Sequence, residues 1–494
     1  MTAKISDQST LMIPVGYNQM ECRAGIIHIG VGAFHRAHQA VYLNQLLSYK
    51  DQQHWGILGI NLRSNDTQIT TQLKHQEHQY TLKTLASDNE TTFQRIGSII
   101  ATLDWSLNPQ AAAHAANDSH IHLMTMTVTE SGYYLLENGQ LDYHSPAVTE
   151  ALNGTGSCIY GYLRASLNAR RLGCNLPITI LSCDNLRDNG QQLKSGFEQF
   201  LNACNDMELL AWIATKVTFP CCMVDRITPK PDSSHVTDVQ LKFGINDPLT
   251  VMAEPYIQWV IEDNFAAPKP DFERVGVELV ADVSPYENAK IRILNGGHTI
   301  LAYLAVLKGY QTYDQGLADD ELNALFSAFQ TLEVIPSIGA SPMDLTHYYK
   351  TTKARFSNRN IADSLARICT DGGSKFPIFI LPTLSGCYRQ GHIPVNALQG
   401  IAGWYVFMCK VQAGQVNFDY VEPKWKVLEP FLNANGLENF VESPELWGGL
   451  PEQFPQFKWQ LTDAINSIRA RVLGFENDPL IGTNNYLKKP YVGK

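Results

Sequence analysis

The chain is short of several features, and each absence excludes something. No apolar run approaches the roughly 20 residues of a membrane-crossing helix. The first residues, MTAKISDQSTLMIPVGYNQ, hold no apolar core long enough for a signal peptide. Basic clusters are missing, and the net charge is −10, which argues against a general nucleic-acid binder. Ten cysteines occur (22, 158, 174, 183, 204, 221, 222, 369, 387 and 409), but none forms a CxxC pair. Several sit in apolar runs (Cys158, Cys183, Cys409), the usage of buried thiols in a reducing compartment. No Cys/His cluster has zinc-ligand spacing, so no metal is expected. There is no internal repeat and no low-complexity tract. These absences point to a cytoplasmic protein with neither nucleic acid nor membrane as partner. They leave the oligomeric state open, a monomer included.

What is present is alternation. A chain of 494 residues, 44% hydrophobic and 17% charged, is a globular protein large enough for two domains. After an irregular lead-in over 1–23, apolar runs of strand character fall at 24–30, 55–62, 80–84, 93–100, 120–128 and 176–183. Helical patterns fall between and after them, at 36–49, about 66–75, about 156–172 and within 190–214. Alternating strands and helices predict an α/β fold with a mostly parallel sheet covered on both faces. After 284 strands become rare. Helical patterns dominate at 286–308, 319–331, 345–355, 359–369, 394–411 and 456–473. The domain boundary is therefore placed between 283 and 284.

The first strand breaks into Gly30-Val-Gly32-Ala-Phe-His35 and continues as a helix, the opening of a dinucleotide-binding unit. Gly30 and Gly32 supply the tight turn and the close approach to a pyrophosphate. His35 stands where a third glycine or alanine is usual, so strand and helix are expected to sit further apart. An ordinary strand–helix turn is the alternative. The second strand ends at Leu62-Arg-Ser-Asn-Asp66, and Asp66 is the candidate for holding ribose hydroxyls. Its alternative is to cap the next helix. Arg63 would suit a 2′-phosphate, so the pattern leans to NAD and leaves NADP open.

Ser284 to Gly309 carries the other signal. Ser284 can cap a helix, Pro285 fits its first position, and Glu287 lies three residues after the cap. Ile291, Leu294, Ile300, Leu301 and Leu304 follow at helical spacing. At about 100° per residue, Asn295 falls roughly 140° and His298 roughly 80° around the helix from Lys290. A lysine, a carboxamide and an imidazole on one side could move a proton off an alcohol. A solvated lysine, a surface asparagine and a core histidine are the alternative. Gly296 and Gly297 each cost about 1 kcal/mol against alanine in a helix. They are read as clearance for a ligand or backbone at a site between the two domains.

At this point the chain resembles a known family, the polyol-specific long-chain dehydrogenases or mannitol dehydrogenase family. The matching pieces are HIGVGAFHRAHQAVY (28–42), TVTESGYY (127–134), SCDNLRDNG (182–190), MVDRITP (223–229), EPYIQWVIEDNF (254–265), YENAKIRILNGGH (286–298), RFSN (355–358) and DGGSKFP (371–377). They spread over nearly the whole chain. The resemblance implies an N-terminal Rossmann-type doubly wound sheet over 1–283 that binds the dinucleotide. It implies a mainly α-helical substrate and catalytic domain over 284–494. The implied activity is metal-independent, NAD(P)-linked oxidation of a polyol to a ketose, D-mannitol to D-fructose or D-arabinitol to D-xylulose or both. By match to the family motifs, Lys290 is the general base, Asn185 and Asn295 polarise the reacting oxygen, and His298 holds a substrate hydroxyl. Gly30, Gly32, Phe34, Asp66 and Glu130 are the expected cofactor contacts. Asp225, Arg367 and Lys375 match positions around the substrate pocket, and Glu287 helps carry protons to solvent. Asn65 departs from members that have an acidic residue there, which weakens a strict NAD preference. His35 and His38 are expected to be structural or near the cofactor.

The chemistry needs such groups. A lysine titrates near about 10.4 in water; burial or the positive nicotinamide ring would bring it toward the working range. Two carboxamide NH2 groups aimed at one oxygen form an oxyanion hole, worth roughly 3–4 kcal/mol per donor. A hexuronate reductase of the same family, acting on fructuronate or tagaturonate, is the nearest alternative and would need a cationic clamp. A nucleotide-binding regulator without catalysis is the alternative of a different class.

Overall fold

Strand residues in the first part of the chain are apolar on both faces, and that is why they end up in the middle of a layered unit. Ala24–Ile29 (β1), Gly56–Asn61 (β2), Ile99–Asp104 (β3), Leu123–Met126 (β4), Ile178–Ser182 (β5) and Val217–Thr218 (β6) form one parallel sheet. Its order is β3-β2-β1-β4-β5-β6. That is the doubly wound dinucleotide-binding order, with the reversal between β1 and β4. Side chains alternate across it with a period of two. Ile27, Ile29, Met124, Met126, Ile178 and Ile180 join one core with Leu163 and Phe197 from flanking helices. Ile26, Ile57, Leu123 and Leu181 join another with Leu43, Leu46 and Trp259. The α/β expectation is met. The computed structural model describes residues 11–87, 90–433 and 435–476.

The chain divides into two units, Met1–Ser284 and Pro285–Lys494. The first also holds a four-stranded sheet (Met12–Ile13, Thr91–Ile96, Tyr80–Leu85, Val251–Ala253) and a three-stranded one (Cys222–Asp225, Gln258–Glu262, Glu278–Val280). The second is helical. Its centre is Gly296–Leu307 against Val395–Gln412, which in turn packs on Gln456–Glu476. Gly400 and Gly403 permit that closeness: a Cβ at 400 would lie 2.2 Å from Ile300, and one at 403 would lie 2.5 Å from Leu304.

Several local expectations are corrected. The run 93–100 is not one strand. Gly97 and Ser98 break it, tied down by Gly97 N–H to Asn44 Oδ1 (2.9 Å) and Ser98 Oγ to the Ala40 carbonyl (2.6 Å). Its two halves belong to different sheets. The helix expected over 36–49 starts at Ala33 and breaks at His38 (φ −125°, ψ −90°) into Ala33–Ala37 and Gln39–Leu46. The lead-in contains the strand Met12–Ile13 and a 3-10 turn, Gln19–Glu21; its first ten residues lie outside the described ones. The pattern at 359–369 shortens to Leu365–Ile368, after a turn in which Ala362 takes φ +45°. Among the described residues no helix is long and apolar enough to cross a membrane. None of the ten cysteines is in a disulfide.

Candidate active site

The carboxyl ends of β1, β4 and β5 open onto a cleft of about 380 Å³ at the reversal of strand order. Gly30, Gly32, Phe34, Asp66, Glu130 and Asn185, all singled out in the sequence, line it together. Gly30 has φ +91°, and a Cβ there would lie 2.2 Å from the Thr127 carbonyl oxygen. No other residue fits that turn. At Gly32 a Cβ would meet only the Gly30 oxygen, at 3.9 Å, so the space over it is open. Gly32 precedes Ala33–Ala37 with no side chain capping that helix. Glycines without bulk ahead of uncapped helix amides suit the pyrophosphate of a dinucleotide.

Asp66 does not cap the helix it precedes. Its carboxylate pairs with the exposed Arg63 at 3.3 Å instead. Asn61, buried at the end of β2, ties this turn to the glycine turn. Its Nδ2 donates to the Asp66 carbonyl (3.2 Å) and its Oδ1 accepts the Val31 amide (2.9 Å). His35, in place of the third glycine, stacks its ring on His28 with centroids 3.3 Å apart. His28 in turn lies with Nδ1 2.7 Å from Thr125 Oγ1 and Nε2 3.1 Å from the Gly30 carbonyl. The position opposite the first strand is thus filled by a ring rather than left small. Burial lowers the His28 pKa to about 3 and holds His35 well below its ordinary value, so both rings are neutral. His38, also buried, has Nε2 2.9 Å from the Gln258 carbonyl.

The β5 end brings in Asp184 as well as Asn185. Asn185 is exposed in the cleft, whereas Asp184 is buried. Asp184 accepts the amides of Val128 (3.0 Å) and Thr129 (2.8 Å) and the Tyr133 hydroxyl (2.7 Å). Thr129 has φ +67° and ψ 161°. A β-branched residue there is strained by about 1–3 kcal/mol. Sequence reasoning missed Asp184, Asn61 and Thr129. A charged residue ending the apolar strand LPITILSC was the signal that could have found Asp184.

In the second unit the pivotal helix is not a regular α-helix. Ser284–Ala289 and Gly296–Leu307 are α-helical, but Lys290–Asn295 between them is π-helical. The Ser284 amide donates to Asp282 Oδ1 at 2.9 Å, so the cap lies two residues earlier than expected. The Gly296 amide donates to the Ile291 carbonyl, five residues back. The rotation reckoned at α-helical pitch therefore does not hold. In an i→i+5 turn Asn295 comes one turn above Lys290 rather than far around the helix. Lys290 and Glu287 are buried, 8% and 5% exposed, and Asn295 is half-buried.

His298 follows on the next turn. Its ring stacks on Phe356 (4.0 Å) and meets the edge of Tyr313 (4.7 Å). Burial lowers its pKa to about 3. Its Nε2 is buried and has no hydrogen-bond partner among the described residues. The glycine pair gives clearance to the protein's own backbone and side chains. A Cβ at Gly297 would lie 2.7 Å from Gln330 Nε2 and 2.8 Å from the Phe326 ring; one at Gly296 would lie 3.3 Å from the Phe379 carbonyl. The pair gives helices of the second unit room to pack on one another.

The charges that reach His298 are Asp363, Arg367, Arg355 and Lys375. Arg367 and Lys375 are thus brought near His298, and Arg355, in the RFSN stretch, is a neighbour that sequence reasoning did not name. Arg367 is exposed and forms a two-pronged pair with Asp363. Lys375 Nζ donates to the carbonyls of Ile368 (2.9 Å) and Thr370 (2.6 Å), and burial pushes its pKa down. Asp225 lies in the first unit, buried at the end of Cys222–Asp225 and paired in register with Gln258. The neighbouring Arg226 donates to the carbonyls of Glu254 and Ala37. Among the described residues no group of three or more His, Cys, Asp or Glu is placed to hold a metal ion.

Comparison with known proteins agrees with both halves. Residues 24–274 match the mannitol dehydrogenase Rossmann domain and residues 282–469 the mannitol dehydrogenase C-terminal domain. A D-arabinitol 4-dehydrogenase of Ralstonia nicotianae is 37% identical over 461 residues, 90% of this chain and 96% of that one. A mannitol 2-dehydrogenase of Cereibacter sphaeroides is 34% identical over 441 residues, 89% of this chain and 91% of the other. The structure of Pseudomonas fluorescens mannitol 2-dehydrogenase, a ternary complex with NAD and D-mannitol, superposes with a TM-score of 0.81 at 34% identity. That match covers 94% of this chain and 95% of the other. Two matched domains and relatives aligned over nine-tenths of their length leave one conclusion: the chain belongs to the mannitol dehydrogenase family, oxidoreductases acting on CH–OH groups.

Proposed function

We propose that the chain is an NAD-dependent, metal-independent polyol dehydrogenase that oxidises D-mannitol to D-fructose, D-arabinitol to D-xylulose, or both. The first unit is assigned the dinucleotide and the second the substrate and the proton chemistry. The observation that carries the reading is the buried π turn. It sets Asn295 one turn above Lys290, with the unpartnered Nε2 of His298 on the turn that follows. When bound, NAD supplies the hydride acceptor. Lys290 takes the hydroxyl proton as the base. Its burial keeps bulk water from competing, so the proton comes from the bound alcohol. Asn295, and Asn185 from the end of β5, donate to the oxygen as negative charge develops. His298, neutral and pinned between Phe356 and Tyr313, offers its free ring nitrogen to a neighbouring hydroxyl. Glu287, three residues before the base, passes the proton onward. Arg367, Lys375 and Asp225 are assigned to the polyol's remaining hydroxyls.

The engagement of the cations favours a polyol over a hexuronate. Arg367 is already paired with Asp363, and two protein carbonyls already hold the Lys375 ammonium. Asp66 at the cleft favours NAD, and ten cysteines held as thiols, several of them buried, support a cytoplasmic location. The test is turnover of D-mannitol, D-arabinitol and D-sorbitol with NAD and with NADP, read as reduced nicotinamide, and the reverse reaction with D-fructose, D-xylulose and fructuronate. Turnover of mannitol or arabinitol with NAD is expected. Silence with every polyol and ketose overturns the reading, and activity confined to the hexuronate replaces it with the reductase.

A further inference from the structure

Asp184 is the only charged residue in the run LPITILSCDN that carries β5 into the cleft. It is buried, yet both of its oxygens are in use. Oδ1 accepts the Thr129 amide, and Oδ2 accepts the Val128 amide and the Tyr133 hydroxyl. Burial pushes its pKa up in spite of these three donors. A buried carboxylate is costly, and so is a threonine at φ +67°. The two occur in direct contact, and the second is held by the first.

The segment so held reaches three parts of the cleft. It starts at Thr127, whose carbonyl presses on Gly30 and whose hydroxyl donates to the Gly30 carbonyl at 2.8 Å. It contains Glu130, which lines the cleft. It closes at Tyr133, whose hydroxyl returns to Asp184. Asp184 itself is followed by Asn185. One carboxylate thus joins the glycine turn, the Glu130 loop and the end of β5.

We propose that Asp184 is a positioning residue that holds the 127–133 loop in its strained shape through the Val128 and Thr129 amides, and so keeps the glycine turn and Glu130 in the geometry that receives the nucleotide. The inference rests on the reading of this cleft as the NAD site. Asparagine at 184 keeps the shape but offers a single acceptor oxygen, and its NH2 faces a donor. At least one amide then loses its partner, and the strain at Thr129 is no longer opposed.

The test uses the full chain and four variants: Asp184→Asn, Thr129→Gly, the two combined, and Tyr133→Phe. NADH affinity is read by fluorescence titration, alongside the split between KM for NAD and kcat. Asp184→Asn is expected to weaken NADH binding about tenfold. Thr129→Gly, which takes φ +67° without strain, is expected to restore most of that loss in the double variant. A merely structural aspartate would show no such rescue. Tyr133→Phe removes one donor and is expected to weaken binding about threefold. Unchanged affinity in Asp184→Asn, or a loss that Thr129→Gly does not reduce, overturns the inference alone. Failure of the unsubstituted chain to bind NADH overturns the cofactor reading together with it. If Asp184→Asn does not fold, unchanged NADH affinity in Tyr133→Phe overturns the inference.

Discussion

The nucleotide cleft of the first unit is built largely from backbone, and the candidate catalytic helix of the second from side chains. In the cleft, Gly30 is fixed by the Thr127 carbonyl, the glycine turn is tied to the Asp66 turn through Asn61, and Thr129 is pinned by its own amide. On the helix the backbone supplies one thing, a π turn, and the chemistry lies in Lys290, Asn295 and His298. Sites of these two kinds should fail in different ways. A backbone site should break when a methyl group is added. A side-chain site should break when a functional group is removed, while its fold survives.

The largest effect that would sharpen this contrast is at Lys290. Lys290→Ala is expected to lower kcat by about 10²–10⁴-fold, the usual reach of one general base, with NADH affinity kept within about twofold. Steady-state kinetics and a binding titration check the pair of numbers together. Gly30→Ala should do the reverse. A Cβ placed 2.2 Å from the Thr127 carbonyl at φ +91° is expected to weaken NADH binding by about 10²-fold or more, in line with the cost of strain and overpacking. Equal loss of kcat and of cofactor affinity in both variants would erase the distinction.

Acid should act on both units through their buried imidazoles. His28 in the first and His298 in the second are held near a pKa of about 3 by burial, against roughly 6.5 in the unfolded chain. The unfolded state therefore binds protons that the native state refuses. Stability is fully present above about 6.5 and is lost as pH falls toward about 3, by roughly 1 kcal/mol per pH unit for each ring. Thermal melts from pH 7 to 4 check the sign, and His298→Phe should flatten the slope. The smallest effect is expected at Gly297. Alanine there meets Gln330 and the Phe326 ring and should cost about 1–3 kcal/mol of stability, seen as a lower Tm. A loss of substrate affinity with Tm unchanged would return the glycine pair to the role of ligand clearance.

How much was legible in the sequence follows the same division. Parallel-sheet strands announced themselves because both their faces are buried, and Gly30 and Gly32 did so because a turn after a strand needs them. The resemblance to the family rested on motifs that span both units. What escaped depended on contacts distant in sequence. His35 looked like a defect in the glycine pattern until its ring was found stacked on His28. Asp184 has no periodic signature, since its partners lie at 128, 129 and 133. The spacing of Lys290 and Asn295 was misjudged because a π turn cannot be seen in apolar periodicity, which suits an ordinary α-helix nearly as well. Gly97 and Ser98 divided one apolar run between two sheets through bonds to Asn44 and Ala40, some fifty residues away.

The most direct measurement is chemical rescue of Lys290→Ala by small primary amines, with D-mannitol or D-arabinitol and NAD. If Lys290 is the base, turnover rises with the concentration of free amine and with its basicity, while NADH affinity stays constant. Turnover near that of the unsubstituted enzyme without any amine, or no response to amines of any basicity, contradicts the assignment.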